Sequence, residues 1–112
     1  MITKRYYVEE PNYLISGGVN PAYKKVDEEF GERLHCKYGD KVIDNYSIDI
    51  SGGEAVALDL PEAFVIVMDK GIANRKVIIV ADSEERMIST KSGLENLFDG
   101  IPKLNLIELK SR

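Results

Sequence analysis

The sequence predicts an α+β domain: a mainly antiparallel sheet with one long helix, about residues 20–38, packed on one face, and a short helix at about 92–99. Three observations predict it. Residues 20–39 carry capping signals at both ends of an apolar stripe, and residues 45–60 alternate in period two around Ser51-Gly52-Gly53. Two later runs, 63–68 and 77–81, are continuous, apolar and rich in β-branched residues. The 112 residues are read as one domain, 1–112, because domains usually hold about 100–150 residues.

Arg5–Val8 and Asn12–Ile15 read as short strands separated by Pro11, and Gly17-Gly18 breaks the chain after them. The helix that follows has Asn20 at its N-cap and Pro21 at its first position, where a missing N–H costs nothing. Tyr23, Val26, Phe30 and Leu34 recur at steps of three and four, so they share one face. Glu29 and Arg33 form a favourably oriented i,i+4 pair on another face. Gly39 is the stop. Gly31 within the helix should cost about 1 kcal/mol relative to alanine.

Tyr46, Ile48 and Ile50 alternate with Asn45, Ser47 and Asp49, and Val56, Leu58 and Leu60 alternate with Ala55, Ala57 and Asp59. Gly52-Gly53 supplies the positive φ that a hairpin between these arms requires. Phe64–Met68 reads as a buried strand from its β-branched run, although Pro61 and Gly71 would equally bound a short helix. Val77–Ala81 is a buried strand, and Met87–Thr90 is read as a segment pairing back on it. Ser92 and Glu95 have capping-box spacing for the short helix, Gly100 and Pro102 end it, and Leu104–Leu109 is a final edge strand.

Composition narrows the function classes. Apolar residues make up 44% and charged residues 30%, as in an ordinary globular protein. Fifteen Lys and Arg against 19 Asp and Glu give a net charge of −4, which argues against a broad face for nucleic acid. One cysteine cannot form an internal disulfide, and a reducing compartment fits it best. Met1–Tyr7 lacks the apolar core of a signal peptide, and Ala63–Met68, the longest wholly apolar run, is far short of the roughly 20 residues that span a bilayer. A cytoplasmic location with no membrane partner is the expectation.

The residues needed for several chemistries are missing. Structural zinc takes four Cys or His ligands, and the sequence offers only His35 and Cys36. Adjacent helix positions project about 100° apart, so these two are read as a partly exposed helix residue and a small core filler. A single histidine leaves little room for a Ser-His-Asp triad. Ser16-Gly17-Gly18 precedes a helix N-terminus, where anions are attracted, but neither GxxxxGK[ST] nor GxGxxG is present. Candidate acid–base carboxylates are numerous (Asp40, Asp44, Asp49, Asp59), and no spacing singles out a pair. No catalytic residue, metal ligand or cofactor is therefore expected.

Charge distribution is the one departure from an average domain. Residues 40–69 hold Asp40, Asp44, Asp49, Glu54, Asp59, Glu62 and Asp69 against Lys41 alone, net −6. Residues 1–39 balance six against six, and residues 70–112 carry net +2. All six tyrosines, residues 6, 7, 13, 23, 38 and 46, fall in the first 46 positions. Tyr23 and Tyr46 suit the core, while the adjacent Tyr6 and Tyr7 must point to opposite faces of a strand. A clustered negative field can simply be a solvated face, but it also speeds encounter with a basic partner, and tyrosine suits interfaces.

The expectation is a non-catalytic protein-binding module: an acidic inhibitor, immunity-like or antitoxin-like, that neutralises a basic partner such as a toxic nuclease. Its candidate partner-binding residues are Asp44, Asp49, Glu54, Asp59 and Glu62. The alternative is a small-ligand or nucleotide-binding regulatory domain using the Ser16-Gly17-Gly18 turn and the helix N-terminus after it. A homodimer formed through an unpaired edge strand such as Leu104–Leu109 is a third.

Overall fold

The computed structural model describes residues 1–9, 14–47, 54–68, 75–97 and 104–110. Along these residues run β1 (Ile2–Glu9), β2 (Leu14–Ile15), β3 (Gly18–Val19), α1 (Pro21–Tyr38), a 3-10 turn (Gly39–Lys41) and β4 (Val42–Ser47). They are followed by β5 (Glu54–Leu60), β6 (Ala63–Met68), β7 (Lys76–Ala81), α2 (Glu84–Glu95) and β8 (Asn105–Glu108). Among the described residues six strands form one antiparallel sheet in the order β4-β5-β6-β7-β1-β8, and β2 and β3 form a small hairpin of their own. The fold is α+β, as the alternation and capping patterns predict.

The ladder registers decide which side chains share a face. Leu58 lies opposite Val65, Val65 opposite Ile79, and Val67 opposite Val77, which in turn faces Tyr6 across the next ladder. Val8 then lies opposite Leu106 on the last strand. These residues form one continuous cluster with Tyr23 and Leu34 of α1 and Met87 and Leu94 of α2. Both helices therefore pack on the same face. Each fully buried Leu, Ile, Val or Met contributes about 1.5–3 kcal/mol of hydrophobic stabilisation, and Leu34, Leu58, Val65, Ile79 and Met87 are all fully buried.

The helix α1 begins as its sequence requires. The Asn20 side-chain oxygen accepts the backbone N–H of Ala22 at 3.0 Å, and Pro21 takes the first helical position. Gly39, at φ 59°, ends it in a conformation that favours glycine. Tyr23 and Leu34 are buried and Phe30 packs against the core, while the side chain of Val26 lies outside the described residues. The Arg33 Nη2 to Glu29 Oε1 distance is 3.3 Å on the other face. Cys36 is exposed rather than core-filling, because two residues past Leu34 a side chain has rotated about 200° away from the buried stripe. Gly31 makes no close packing contact, since a Cβ placed there would meet nothing within 4 Å.

Three elements differ from the sequence reading. The second helix spans Glu84–Glu95, not about 92–99, and it absorbs the segment 87–90 read as a strand. Ser83 is the cap, its hydroxyl oxygen accepting the Arg86 N–H at 3.2 Å, and Glu84 and Glu85 follow in the first turn, where carboxylates favour the helix dipole. Met87, Thr90 and Leu94 then recur at helical spacing and are buried. The β-branched Ile88 and Thr90 suggest a strand locally, but the tertiary stripe prevails.

The strand β4 starts at Val42, earlier than the alternation from Asn45 suggests, and its predicted continuation through 48–50 lies outside the described residues. A register shift between Ile43 and Tyr46 accompanies φ 55° at Asn45. Such a bulge changes the parity of the strand. Val42 opposes Leu58 on the helix side, whereas Tyr46 opposes Ala55 on the other side, so Tyr46 leaves the face that Leu58 occupies. The third difference is at the N-terminus, where β1 covers Ile2–Glu9 instead of Arg5–Val8.

Other expectations hold where the structure describes them. Residues 63–68 are a strand, Pro61-Glu62 is the turn before it, and β8 is an edge. Tyr6 is buried and Tyr7 is exposed on the opposite face. No helix among the described residues is long and apolar enough to cross a membrane.

Candidate functional site

The acidic residues singled out by the sequence occupy three different settings. Asp44 sits on the edge strand β4, beside the bulge at Asn45, with its side chain exposed. Its Oδ2 lies 2.8 Å from Nε2 of His35, so it is turned toward the helix layer. Asp40, in the 3-10 turn just before β4, has 94% of its side chain exposed and contacts Lys41 at 4.0 Å. Asp40 and Asp44, with Lys41 between them in sequence, stand where the end of α1 meets β4, the edge of the sheet among the described residues.

Asp59 is on the opposite face. It pairs with Phe64 across the β5–β6 ladder, on the side away from both helices, and is exposed. Glu62 is in the turn between β5 and β6, ion-paired with Arg86 of α2. That pair borders an open depression of about 350 Å³ lined by Leu60, Pro61, Glu62, Ala63, Arg86 and Thr90. Glu54 is the first residue of β5 and lies opposite Ser47 in the ladder. Asp49 is outside the described residues. The structure thus places Asp44 near the helix layer, Asp59 on the other face and Glu62 at the strand end, rather than side by side.

On the face away from the helices Asp59 stands on β5, while Arg5 and Lys76 stand on β1 and β7. Lys4 is tied to the first turn of α2 through Glu84 at 2.8 Å, with Glu108 at 3.9 Å. The Glu84 hydrogen bond raises the Lys4 pKa above its ordinary value. Arg5 and Asp59 have no ion-pair partner among the described residues.

The Ser16-Gly17-Gly18 segment is the turn of the β2–β3 hairpin, with Gly17 at φ 82°. The helix follows only after β3, and the Ala22 N–H at its start is already taken by Asn20. Among the described residues no group of three or more His, Cys, Asp or Glu is placed to hold a metal ion.

The feature that sequence reasoning missed is apolar. On the face away from the helices, Tyr46 and Phe64 stack edge to face at 5.7 Å, and Ile66, Met68, Ile78 and Val80 are only half-buried. None of these belongs to the core cluster, nor packs against it. The signal lay in the unbroken run Ala63–Met68: a strand whose two faces are both apolar is one whose two faces are both covered. No protein-family model matches the chain, and comparisons with curated proteins and with solved structures find no match.

Proposed function

We propose that this chain is a non-catalytic protein-binding module, an acidic inhibitor of the immunity or antitoxin type, whose β4 corner covers a basic partner such as a nuclease. The observation that carries the reading is two exposed carboxylates, Asp40 and Asp44, at a strand that is the edge of the sheet among the described residues. An edge strand offers free N–H and C=O groups to an incoming chain, and the carboxylates beside it attract cationic side chains. The sequence continues the same negative charge through Asp49 and Glu54. His35 restrains Asp44, which lowers the ordering cost of a contact made there.

The test is affinity capture from the source organism's lysate, with the wild type beside an Asp44→Asn/Asp49→Asn variant. Each captured protein is then assayed for nuclease activity with and without the chain. The reading expects one basic nuclease, retained by the wild type, inhibited by it, released by salt and lost from the folded variant. A captured protein that binds both forms equally, or no specific protein at all, overturns it.

A further inference from the structure

We propose that the sheet face opposite the helices is the interface of a homodimer, two copies packing sheet on sheet about a two-fold axis parallel to the strands. This inference concerns a different face from the β4 corner and does not depend on it.

The face is apolar along β6 and at Ile78 and Val80 of β7, carries Thr3, Arg5, Asp59 and Lys76 as well, and is uncovered by either helix. Its middle is Ile66 and Ile78, directly paired across the β6–β7 ladder, with Phe64 and Val80 paired beside them. At its margins Ile43 is 40% exposed, Tyr7 and Ile107 are each 36% exposed, and Leu109 is 41% exposed. Six strands at about 4.8 Å spacing and three ladder levels give a footprint of roughly 25 by 20 Å, on the order of 500 Å² per copy, which also holds Thr3, Arg5, Asp59 and Lys76. Two such footprints brought together bury about 1,000 Å² in total, where specific interfaces begin.

Charge selects a second copy as the occupant, and it selects the axis. The registers define three levels across the face. Asp59 is level with Phe64, Val80 and Thr3; Ala57 is level with Ile66, Ile78 and Arg5; Ala55 is level with Met68, Lys76 and Tyr7. Rotation about an axis parallel to the strands, between β6 and β7, sets β5 of one copy over β1 of the other and β6 over β7. Asp59 then lies one ladder step, about 7 Å, from Arg5 of the second copy, within reach of an arginine side chain. The contact occurs twice by symmetry.

Shape agrees with charge. The same rotation sets Tyr7 and Arg5 over the recessed Ala55 and Ala57, which are already buried within one copy, and brings Ile43 over Leu109, which is hydrogen-bonded beside Arg5. Aligned sheets cross at about 30°, which preserves these neighbours near the centre. An axis across the strands would instead set each strand over its own copy and oppose Arg5 to Arg5. Arg5 and Asp59, which have no ion-pair partner among the described residues of one copy, thus become partners in the pair.

Sedimentation equilibrium on the intact chain between about 1 and 200 µM tests this. The weight-average mass of the wild type should rise from 12.6 kDa toward twice that value. Asp59→Arg alone and Arg5→Asp alone should each weaken association roughly tenfold or more, by setting like charges in opposition. An equimolar mixture of the two single variants should recover a heterodimer, since both contacts become complementary. Both substitutions are at exposed sites, and circular dichroism verifies that each variant is folded. A wild type that stays monomeric, swaps that leave association unchanged, or a mixture that fails to recover it each overturns the proposal.

Discussion

His35 of α1 and Asp44 of β4 are joined by a 2.8 Å contact between Nε2 and Oδ2, the side-chain link between the end of the long helix and the edge of the sheet. Both side chains are about half exposed, which limits what the contact adds to stability. Asp44→Asn should therefore lower the unfolding free energy by no more than about 1 kcal/mol, read by urea denaturation. The same substitution should weaken partner binding far more than it weakens the fold. A loss of several kcal/mol would mean that Asp44 holds the β4 bulge together instead of presenting charge.

Gly31→Ala should stabilise the protein. Gly31 is inside α1 and exposed, and an added Cβ would meet nothing. Removing backbone freedom from the unfolded chain at such a site gives about 0.5–1 kcal/mol. The gain appears as a higher urea midpoint at unchanged slope.

Ser83→Ala should cost about 1 kcal/mol, because the hydroxyl is the acceptor for the Arg86 N–H at the start of α2. Ser83→Asp should retain most of the stability, since a carboxylate caps as well and favours the positive end of the helix. Thermal unfolding of the three proteins side by side ranks them.

Alkaline conditions should destabilise the fold through the half-buried Tyr38 and the buried Tyr6. Burial raises the pKa of Tyr38, and burial is also the first cause of the rise at Tyr6. The folded state therefore keeps these protons after the unfolded state has begun to lose them. Their contribution is intact below the ordinary value of 10.0 and is lost as pH climbs from there through the raised folded value. Lys4, its pKa raised mainly by the Glu84 hydrogen bond, acts in the same sense. Tyr38→Phe should show a shallower fall in unfolding free energy above about pH 10 than the wild type, measured by denaturation at stepped pH.

What the sequence makes legible is what local chemistry decides. Asn20, Pro21 and Gly39 delimit α1 because capping and positive φ are properties of one or two residues. The hairpin arm Val56–Leu60 and the strand at 77–81 follow from period and β-branching alone. The reading of 84–95 goes astray because Ile88 and Thr90 favour a strand locally, while Met87, Thr90 and Leu94 reveal a stripe only once a core exists to receive them. The acidic surplus of 40–69 is visible as a sum, but its layout is not. A single residue, Asn45 at φ 55°, changes the parity of β4 and decides which side chains look toward the helices and which look away. The open face is written in the continuous run Ala63–Met68, and it takes the sheet order to show that nothing in either helix covers the second side.

The position of β1 between β7 and β8 has a consequence for how the protein comes into being. The strands β4 to β7 follow one another as neighbours, so each pairs with a segment made shortly before it. By contrast, β1 pairs residue 2 with residue 81, and its other neighbour is β8. During synthesis β1 must wait for the chain to reach β7, and its second edge is closed only when β8 emerges. Contacts so distant along the chain close large loops and form late. Until then Tyr6 and Val8 lack the ladder partners that β7 and β8 supply, and the nascent chain depends on these later strands to bury β1 in the sheet.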